Sequence, residues 1–350
     1  MQDVTYPGTK EAGALASFTV FAYNQEAFVR DAIRGAFGQE YRPLEVILSD
    51  DASSDRTFEI MQEEARSAPP GIHVVLNRNP LNLGIAEHIN RVIGLARGEF
   101  VVLSAADDIS LPHRTGMSVR ALRDDPQGRR VLHATVLNVA ADGTPLHLRR
   151  NPHREIFGSP AQVVARDAYL TGSSVVLRRG MYADFPPLNA DVVNEDKVTA
   201  FRCAFHGGAV YIDEPLVHYR AGVGVSTLHG DILSGREDPV REARYVRTGL
   251  ARRLSVLGQM RVDAGSGPLA GKVPGEVLRA IEVEAKGLRR ALAFMDDPRA
   301  RRLPGLFAAA GFGRKTLKIA LLGMAPRLYH RYKVLRHRPA RSAGGRTGRP

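Results

Sequence analysis

The sequence predicts an α/β fold: an open, mostly parallel sheet flanked by helices, continued by a helical C-terminal extension. Three observations carry this reading. Four short apolar runs fill the first third, FTVFA (18–22), LEVILSD (44–50), HVVLN (73–77) and EFVVLSA (99–105), and their starts lie 26, 29 and 26 residues apart. They are β-branched and nearly continuous, the pattern of strands buried on both faces of a parallel sheet. The stretches between them have helical spacing, which makes right-handed crossover units.

Each element follows from local chemistry. In 26–37, Phe28, Ala32, Ile33 and Ala36 fall on one helical face. Asp55 or Thr57 can cap the second helix, and Pro69-Pro70 ends it. The third helix runs from Ile85 to Ala96, with Gly98 as its stop. Beyond Pro126 we expect a strand with a turn at Asp142-Gly143, an irregular stretch to about Ser159, and a strand at 173–179. A helix at 195–206 and a strand at 209–220 follow. Residues 238–260 are helical, 263–275 are a Gly/Pro linker, and Val277, Ile281, Ala285, Leu288, Leu292 and Met295 make a further helical stripe. The expected organisation is a flexible N-terminus (1–16) and a catalytic body (17–227, halved at 125/126). A helical extension (228–303) and a basic tail (304–350) complete it.

Composition excludes several classes. A chain of 350 residues that is 44% hydrophobic and 25% charged is globular, and its single cysteine, Cys203, allows neither a disulfide framework nor a four-cysteine zinc site. No apolar run is long enough to span a bilayer, and 1–16 lacks an apolar signal core, so a cytoplasmic protein is expected. The net charge of +12 is localised: residues 298–350 hold 14 of the 49 Lys and Arg and no Asp or Glu, leaving a slightly acidic body. In the tail, Leu317, Ala320, Leu321, Met324 and Leu328 form an apolar stripe flanked by cations. That suits a helix lying on an anionic membrane face, so peripheral association through 304–350 is expected.

In an open parallel sheet, ligands bind outside the carboxyl ends of the strands. Asp50 and Asp51 end the second strand here, and Asp107 and Asp108 follow the fourth. Neither GxGxxG after the first strand nor GxxxxGK[ST] anywhere is present, so a diphosphate would need another charge partner. A divalent cation on carboxylate oxygen is the natural one.

Three blocks carry a family resemblance: TVFAYNQEAFVRDAIRGAFGQEYRPLEVILSDDASSDRT, LNLGIAEHINRVIGLARGEFVVLSAADDISLP and NEDKVTAFRCAFHGGAVYIDEPLVHYR. They resemble family 2 glycosyltransferases of GT-A fold, in order over about residues 17–226. The resemblance implies an inverting enzyme that passes a sugar from a nucleoside diphosphate, UDP first, to a hydroxyl of a glycan or lipid-linked acceptor. It implies Mn2+ or Mg2+ as cofactor and a role in polysaccharide synthesis at the cell envelope. Carried onto this chain, Tyr23 stacks on the donor base, Asp51 accepts a hydrogen bond from it, and Asp107 holds the ribose or a metal water. Asp108 coordinates the metal, and Arg220 pairs with the donor phosphates. Asp196 is the general base, with Glu195 in support at the helix start. Gly172, Ser173 and Ser174 line the acceptor site. Relatives often carry an Asp where this chain has Ala105, and a His where it has Gly222; His218 reads as a structural strand-end histidine.

Two other readings use the same features. A nucleotidyltransferase shares the sheet but has a Gly/Arg/Lys-rich loop after the first strand, where this chain reads AYNQEAF. A non-catalytic RNA- or membrane-binding protein would use the sheet as scaffold. Nucleic acid is not expected as a partner, because the tail offers only Tyr329 and Tyr332 for stacking.

Overall fold

A computed structural model describes residues 13–154, 158–223, 239–266 and 270–296. The tail 304–350 and residues 1–12 of the N-terminal 1–16 lie outside the described residues. The described residues fall into two compact units, one drawn from 1–227 and 252–285 and the other from 228–251 and 286–350.

In the first unit, strands β1 (Ala16–Ala22), β2 (Leu44–Asp50), β3 (Ile72–Arg78) and β4 (Phe100–Ala105) form the parallel half of the sheet. The order is β3-β2-β1-β4, so β1 lies between β2 and β4 in matching register, Ala22 opposite Asp50 and Phe21 opposite Ala105. Phe18, Val20, Leu44, Val46, Leu48, Phe100 and Val102 are fully buried, as the continuous apolar runs require. Only β3, at the sheet edge, is half-buried.

Helices α1 (Val29–Phe37), α2 (Thr57–Arg66) and α3 (Ile85–Leu95) connect these strands. The first starts later than its apolar spacing suggests, because Asn24 takes a left-handed φ of 51° and 25–28 form a turn. Gly98 follows α3 for a steric reason: a Cβ there would stand 2.6 Å from the Ser17 nitrogen and 2.8 Å from the Leu15 carbonyl. The same corner holds a buried carboxylate. Glu45 accepts from the Ser17 hydroxyl (2.5 Å) and from Arg97 through its backbone N (2.7 Å) and Nε (2.9 Å).

The second half of the sheet is mixed. It comprises β5 (Ile109–Ser110), β6 (Val131–Val139), the hairpin partner β7 (Pro145–Arg149), β8 (Val176–Arg178) and β9 (Ala209–Arg220). From β4 the order runs β8-β6-β9-β5, with β8 antiparallel to β4 and β6. Strand β6 lies parallel to β9, and β7 is antiparallel to β6. Helices α4 (Arg114–Arg123), α5 (Pro160–Arg166), α6 (Gly180–Ala183) and α7 (Glu195–Ala204) surround it.

The expected strand at 173–179 is shorter, because Gly172–Ser174 form a 3-10 turn. The Ser174 hydroxyl donates to the Thr171 and Ala134 carbonyls and accepts from the Ala134 N–H, which bends the chain before β8 begins. The stretch expected to be irregular contains β7, fixed by pairing Val136 with Arg149 and Leu137 with Leu148.

Helices α8 (Pro239–Gly265) and α9 (Gly275–Asp296) occupy the region expected as a helical extension. Residues 252–285 nevertheless group with the first unit. A buried ion pair ties them to it: Asp263 receives Arg202 Nε at 2.8 Å and Nη2 at 2.9 Å, and both side chains are inaccessible to solvent. The apolar stripe of α9 buries Ala291 rather than Leu292. In the second unit, Arg247 holds Asp296 through two hydrogen bonds of 2.8 and 3.1 Å.

Candidate active site

The carboxyl ends of β1, β2 and β4 lie side by side, and they bring most of the expected donor-side residues to one rim. Tyr23, just past β1, is 48% exposed, so its ring is open to a stacking partner. Asp51 is next to it, its backbone N–H bound to the Ala22 carbonyl at 2.9 Å. Asn24 and Ala52 both have positive φ, 51° and 60°, an arrangement that costs non-glycine residues on the order of 1–2 kcal/mol. The surroundings hold them there. Asn24 Oδ1 accepts the Ser54 N–H (2.9 Å), the Asn24 N–H donates to Ser53 Oγ (2.8 Å), and the Gln25 N–H donates to Thr57 Oγ1 (2.7 Å).

Asp51 itself is already occupied. Its carboxylate accepts from Asn79 Nδ2 (2.8 Å), Leu83 N (2.9 Å) and Gly84 N (3.0 Å), and it is 2% exposed. Its contribution is to fold the 79–84 loop at the rim. Asn79 extends this network through Asn77 and Ser49 to the buried His88, whose imidazole burial pushes toward the neutral form. This line of polar groups escaped the sequence reading, since a lone buried histidine on an apolar helix face has no spacing signature.

Asp107 and Asp108 follow β4. Burial raises the proton affinity of both, and for Asp108 the charge of Asp107 adds to it. Asp108 Oδ1 accepts the Arg220 backbone N–H at 3.0 Å, and its other oxygen has no protein donor among the described residues. Two adjacent desolvated carboxylates with spare oxygen lone pairs fit a hard divalent cation. Among the described residues no three His, Cys, Asp or Glu side chains gather into a cage, so diphosphate oxygens and water would complete the shell.

Arg220 is placed differently from its expected phosphate role. It is 3% exposed and committed within the protein: Nη2 to Asp31 at 2.6 Å, Nη1 to the Asp107 carbonyl at 3.0 Å, and its guanidinium 4.9 Å above the Phe28 ring. It clamps the Asp107–Asp108 turn onto α1. Arg114 is a second buried support that sequence patterning missed. It donates to Ser110 Oγ (2.8 Å) and the Leu103 carbonyl (2.7 Å), beneath the same turn.

The acceptor-side residues meet at the start of α7. A Cβ on Gly172 would stand 3.5 Å from Asp196 Cβ and 3.6 Å from Glu195 Oε1, so the 3-10 turn lies against both acids. The same turn packs on β4, whose end leads into Asp107 and Asp108, and on β9, which ends at Arg220. Gly172–Ser174 therefore touches the α7 acids on one side and strands β4 and β9 on the other.

Ser174 is fully buried and its hydroxyl is spent inside the protein; the Ser173 hydroxyl has no protein partner among the described residues. Asp196 accepts one hydrogen bond, from the Lys197 N–H at 2.9 Å, while Lys197 Nζ turns away to Asp167 at 2.9 Å. Part of each acid remains open to solvent, yet the protein around them removes most of their hydration. That desolvation raises Asp196 to about 6, against the opposing pull of Lys197, and raises Glu195 to about 8 with help from the Asp196 charge. A carboxylate at about 6, without an arginine partner, can take a proton near neutral pH. His218, at the β5 pairing position opposite Ile109, is half-buried and held toward its neutral form by that burial.

Residues 17–166 match the family model described as Glycosyl transferase family 2. An uncharacterized protein of Mycobacterium tuberculosis is 31% identical over 212 residues, 58% of each chain, so this chain spans a little over half the length of that relative. The Succinoglycan biosynthesis protein ExoO of Rhizobium meliloti is 30% identical over 132 residues, 38% of this chain and 36% of that one. Among solved structures, S. aureus TarS 1-349 in complex with UDP-GlcNAc superposes with a TM-score of 0.54 at 15% identity, covering 90% of this chain and 88% of TarS. The mannosyltransferase PcManGT from Pyrobaculum calidifontis, in complex with GDP-Man and Mn2+, gives 0.50 at 18% identity over 92% and 87%. These two likenesses concern the fold, a GT-A α/β sheet. The family 2 glycosyltransferase match thus covers residues 17–166, which hold the parallel strands β2–β4 and all but the first residue of β1, together with Asp51, Asp107 and Asp108.

Proposed function

We propose that the chain transfers a sugar from a nucleoside-diphosphate sugar, a UDP-sugar first, to a hydroxyl of a glycan or lipid-linked acceptor, with inversion. The observation that carries this reading is the junction at Gly172, which seats Asp196 against a turn packed on β4, the strand that leads into Asp107 and Asp108. Tyr23 stacks on the base, with the loop shaped by Asp51 beside it. Asp107 and Asp108 would hold Mn2+ or Mg2+, which would supply positive charge against the departing diphosphate. Asp196 takes the proton of the acceptor hydroxyl as that oxygen bonds to the anomeric carbon and the bond to the diphosphate breaks. One displacement inverts the centre. The nucleotide-sugar complexes of TarS and PcManGT, and the Mn2+ of the latter, support the donor class and the metal.

A thermal-shift screen of UDP-, GDP- and dTDP-sugars with and without Mn2+ tests this, because a ligand of the native state raises its melting temperature by mass action. One donor should raise it by several degrees, and more with Mn2+. The Asp108→Ala variant should lose the Mn2+-dependent part and keep the part seen with chelator. An equal loss under both conditions would remove Asp108 as metal ligand, and no shift with any nucleotide would end the reading.

We also infer peripheral association with the inner face of the cell membrane. No described helix is long and apolar enough to cross a membrane. Residues 327–350 carry 8 Lys or Arg, each worth roughly 1 kcal/mol near an anionic surface. Deletion of 304–350 should abolish co-sedimentation with phosphatidylserine-containing vesicles while leaving the melting temperature of the body unchanged. Undiminished sedimentation would reject the anchor.

A further inference from the structure

With Arg220 turned inward and Arg78, at the end of β3, paired with Asp50 at 3.3 Å, Arg149 is placed to supply a cationic side chain to the diphosphate. Arg149 is the last residue of β7, directly opposite Val136 in the hairpin, and it is exposed. Its guanidinium carbon stands 4.2 Å from the centre of the Tyr219 ring, a stacked geometry that fixes direction without consuming the N–H donors. Tyr219 immediately precedes Arg220, whose backbone N–H holds Asp108 at 3.0 Å. The ring therefore holds the Arg149 guanidinium at the end of β9, one residue from the backbone N–H that binds Asp108.

The neighbouring arginine behaves otherwise. Arg150 is paired with Asp213 at 2.8 Å, whereas Arg149 has no carboxylate within ion-pair distance among the described residues. A cation aimed by an aromatic face, with its planar fork of donors unspent, matches an oxyanion bearing two or more acceptor oxygens.

We infer that Arg149 binds the diphosphate of the donor, and so stabilises the leaving nucleoside diphosphate from the β7 side. This rests on the donor class proposed above and adds the residue that reads its charge. It gives the β6–β7 hairpin a function: an arm that presents one guanidinium at the end of β9, where Arg220 holds Asp108.

The test is isothermal titration of wild type, Arg149→Ala and Arg149→Lys with UDP, GDP and dTDP, alongside uridine, guanosine and thymidine, all in Mn2+. A hydrogen-bonded charge pair lost from the complex weakens binding about tenfold to a hundredfold. Arg149→Ala should lose that factor for the preferred diphosphate and leave the matching nucleoside unchanged, with Arg149→Lys between the two. The factor should also shrink as salt rises. Unchanged diphosphate affinity, or an equal loss for nucleoside and diphosphate, overturns the assignment. Should Arg149→Ala fold poorly by its melting curve, the lysine variant and the salt dependence still decide. A wild type that binds none of the diphosphates would instead strike at the donor reading itself.

Discussion

Replacing Asp196 by asparagine should lower glycosyl transfer about a hundredfold to ten-thousandfold while nucleotide-sugar binding stays within about twofold. That factor is the usual contribution of a positioned proton acceptor. Asparagine keeps the hydrogen bond from the Lys197 N–H and the packing against Gly172, but it cannot take a proton. The same residue sets two pH dependences of opposite sense. Activity should rise through about pH 6 as Asp196 ionises, because only the ionised acid is a base. Stability should move the other way. The folded-state value stands above the ordinary carboxylate value of 3.8, so between about pH 4 and 6 the folded protein binds the proton that the unfolded chain has released. Folding stability therefore falls as pH rises through that window, and Glu195, at about 8, extends the fall. Asp196→Asn removes one of these charges, so it should melt higher than wild type at pH 8 and nearly equal to it at pH 4. Stability sacrificed for a base at the right proton affinity would show itself this way. A variant that keeps transfer activity, or gains nothing in melting temperature at high pH, would leave Asp196 without the role.

Strands β1, β2 and β4 were legible because nearly every residue of those runs is constrained by burial on two faces, and continuous Val, Ile and Leu follow from that. Glu45 broke the run at β2 without breaking the strand, since Ser17 and Arg97 neutralise it from neighbouring elements. The carboxylates Asp51, Asp107, Asp108 and Asp196 were legible as residues, through their places after strands and at a helix start. Their partners were not. Which of Arg149 and Arg220 is spent internally depends on Asp31 and Phe28 at one end and Tyr219 at the other, contacts made across distant parts of the chain. Ser174 illustrates the same limit. A small polar residue in a Gly-Ser-Ser run reads as lining a site, but its hydroxyl closes a turn against Ala134, 40 positions earlier. The pairing of 252–285 with the body was equally hidden, because Arg202 on a helix reads as a solvated charge until its carboxylate is found 61 residues on.

That buried pair supports the second large expected effect. Asp263→Ala should destabilise the first unit by about 3–5 kcal/mol, measured as a shift in urea midpoint at constant slope. Asp263 accepts both Arg202 bonds and one from Gln259 Nε2 at 2.9 Å. Its loss leaves a guanidinium with no access to water, flanked by the Tyr182 and Phe185 rings at 5.3 and 5.1 Å. The remaining acceptor, the Pro186 carbonyl at 2.7 Å, satisfies one N–H group but does not neutralise the charge. Replacing both partners, Arg202→Met with Asp263→Leu, should recover most of the loss, since two apolar groups of similar length need no desolvation compensation. The contrast separates an uncompensated charge from mere lost packing. If both variants were equally damaged, the cost would lie in shape; if neither were, water would have to reach a pair that the structure closes off. The pair also sits on the helix that begins with Glu195 and Asp196. A loosened α7 should therefore admit water to those acids and return their proton affinities toward ordinary values. In Asp263→Ala the activity rise should accordingly move below pH 6, a shift that global destabilisation alone would not produce.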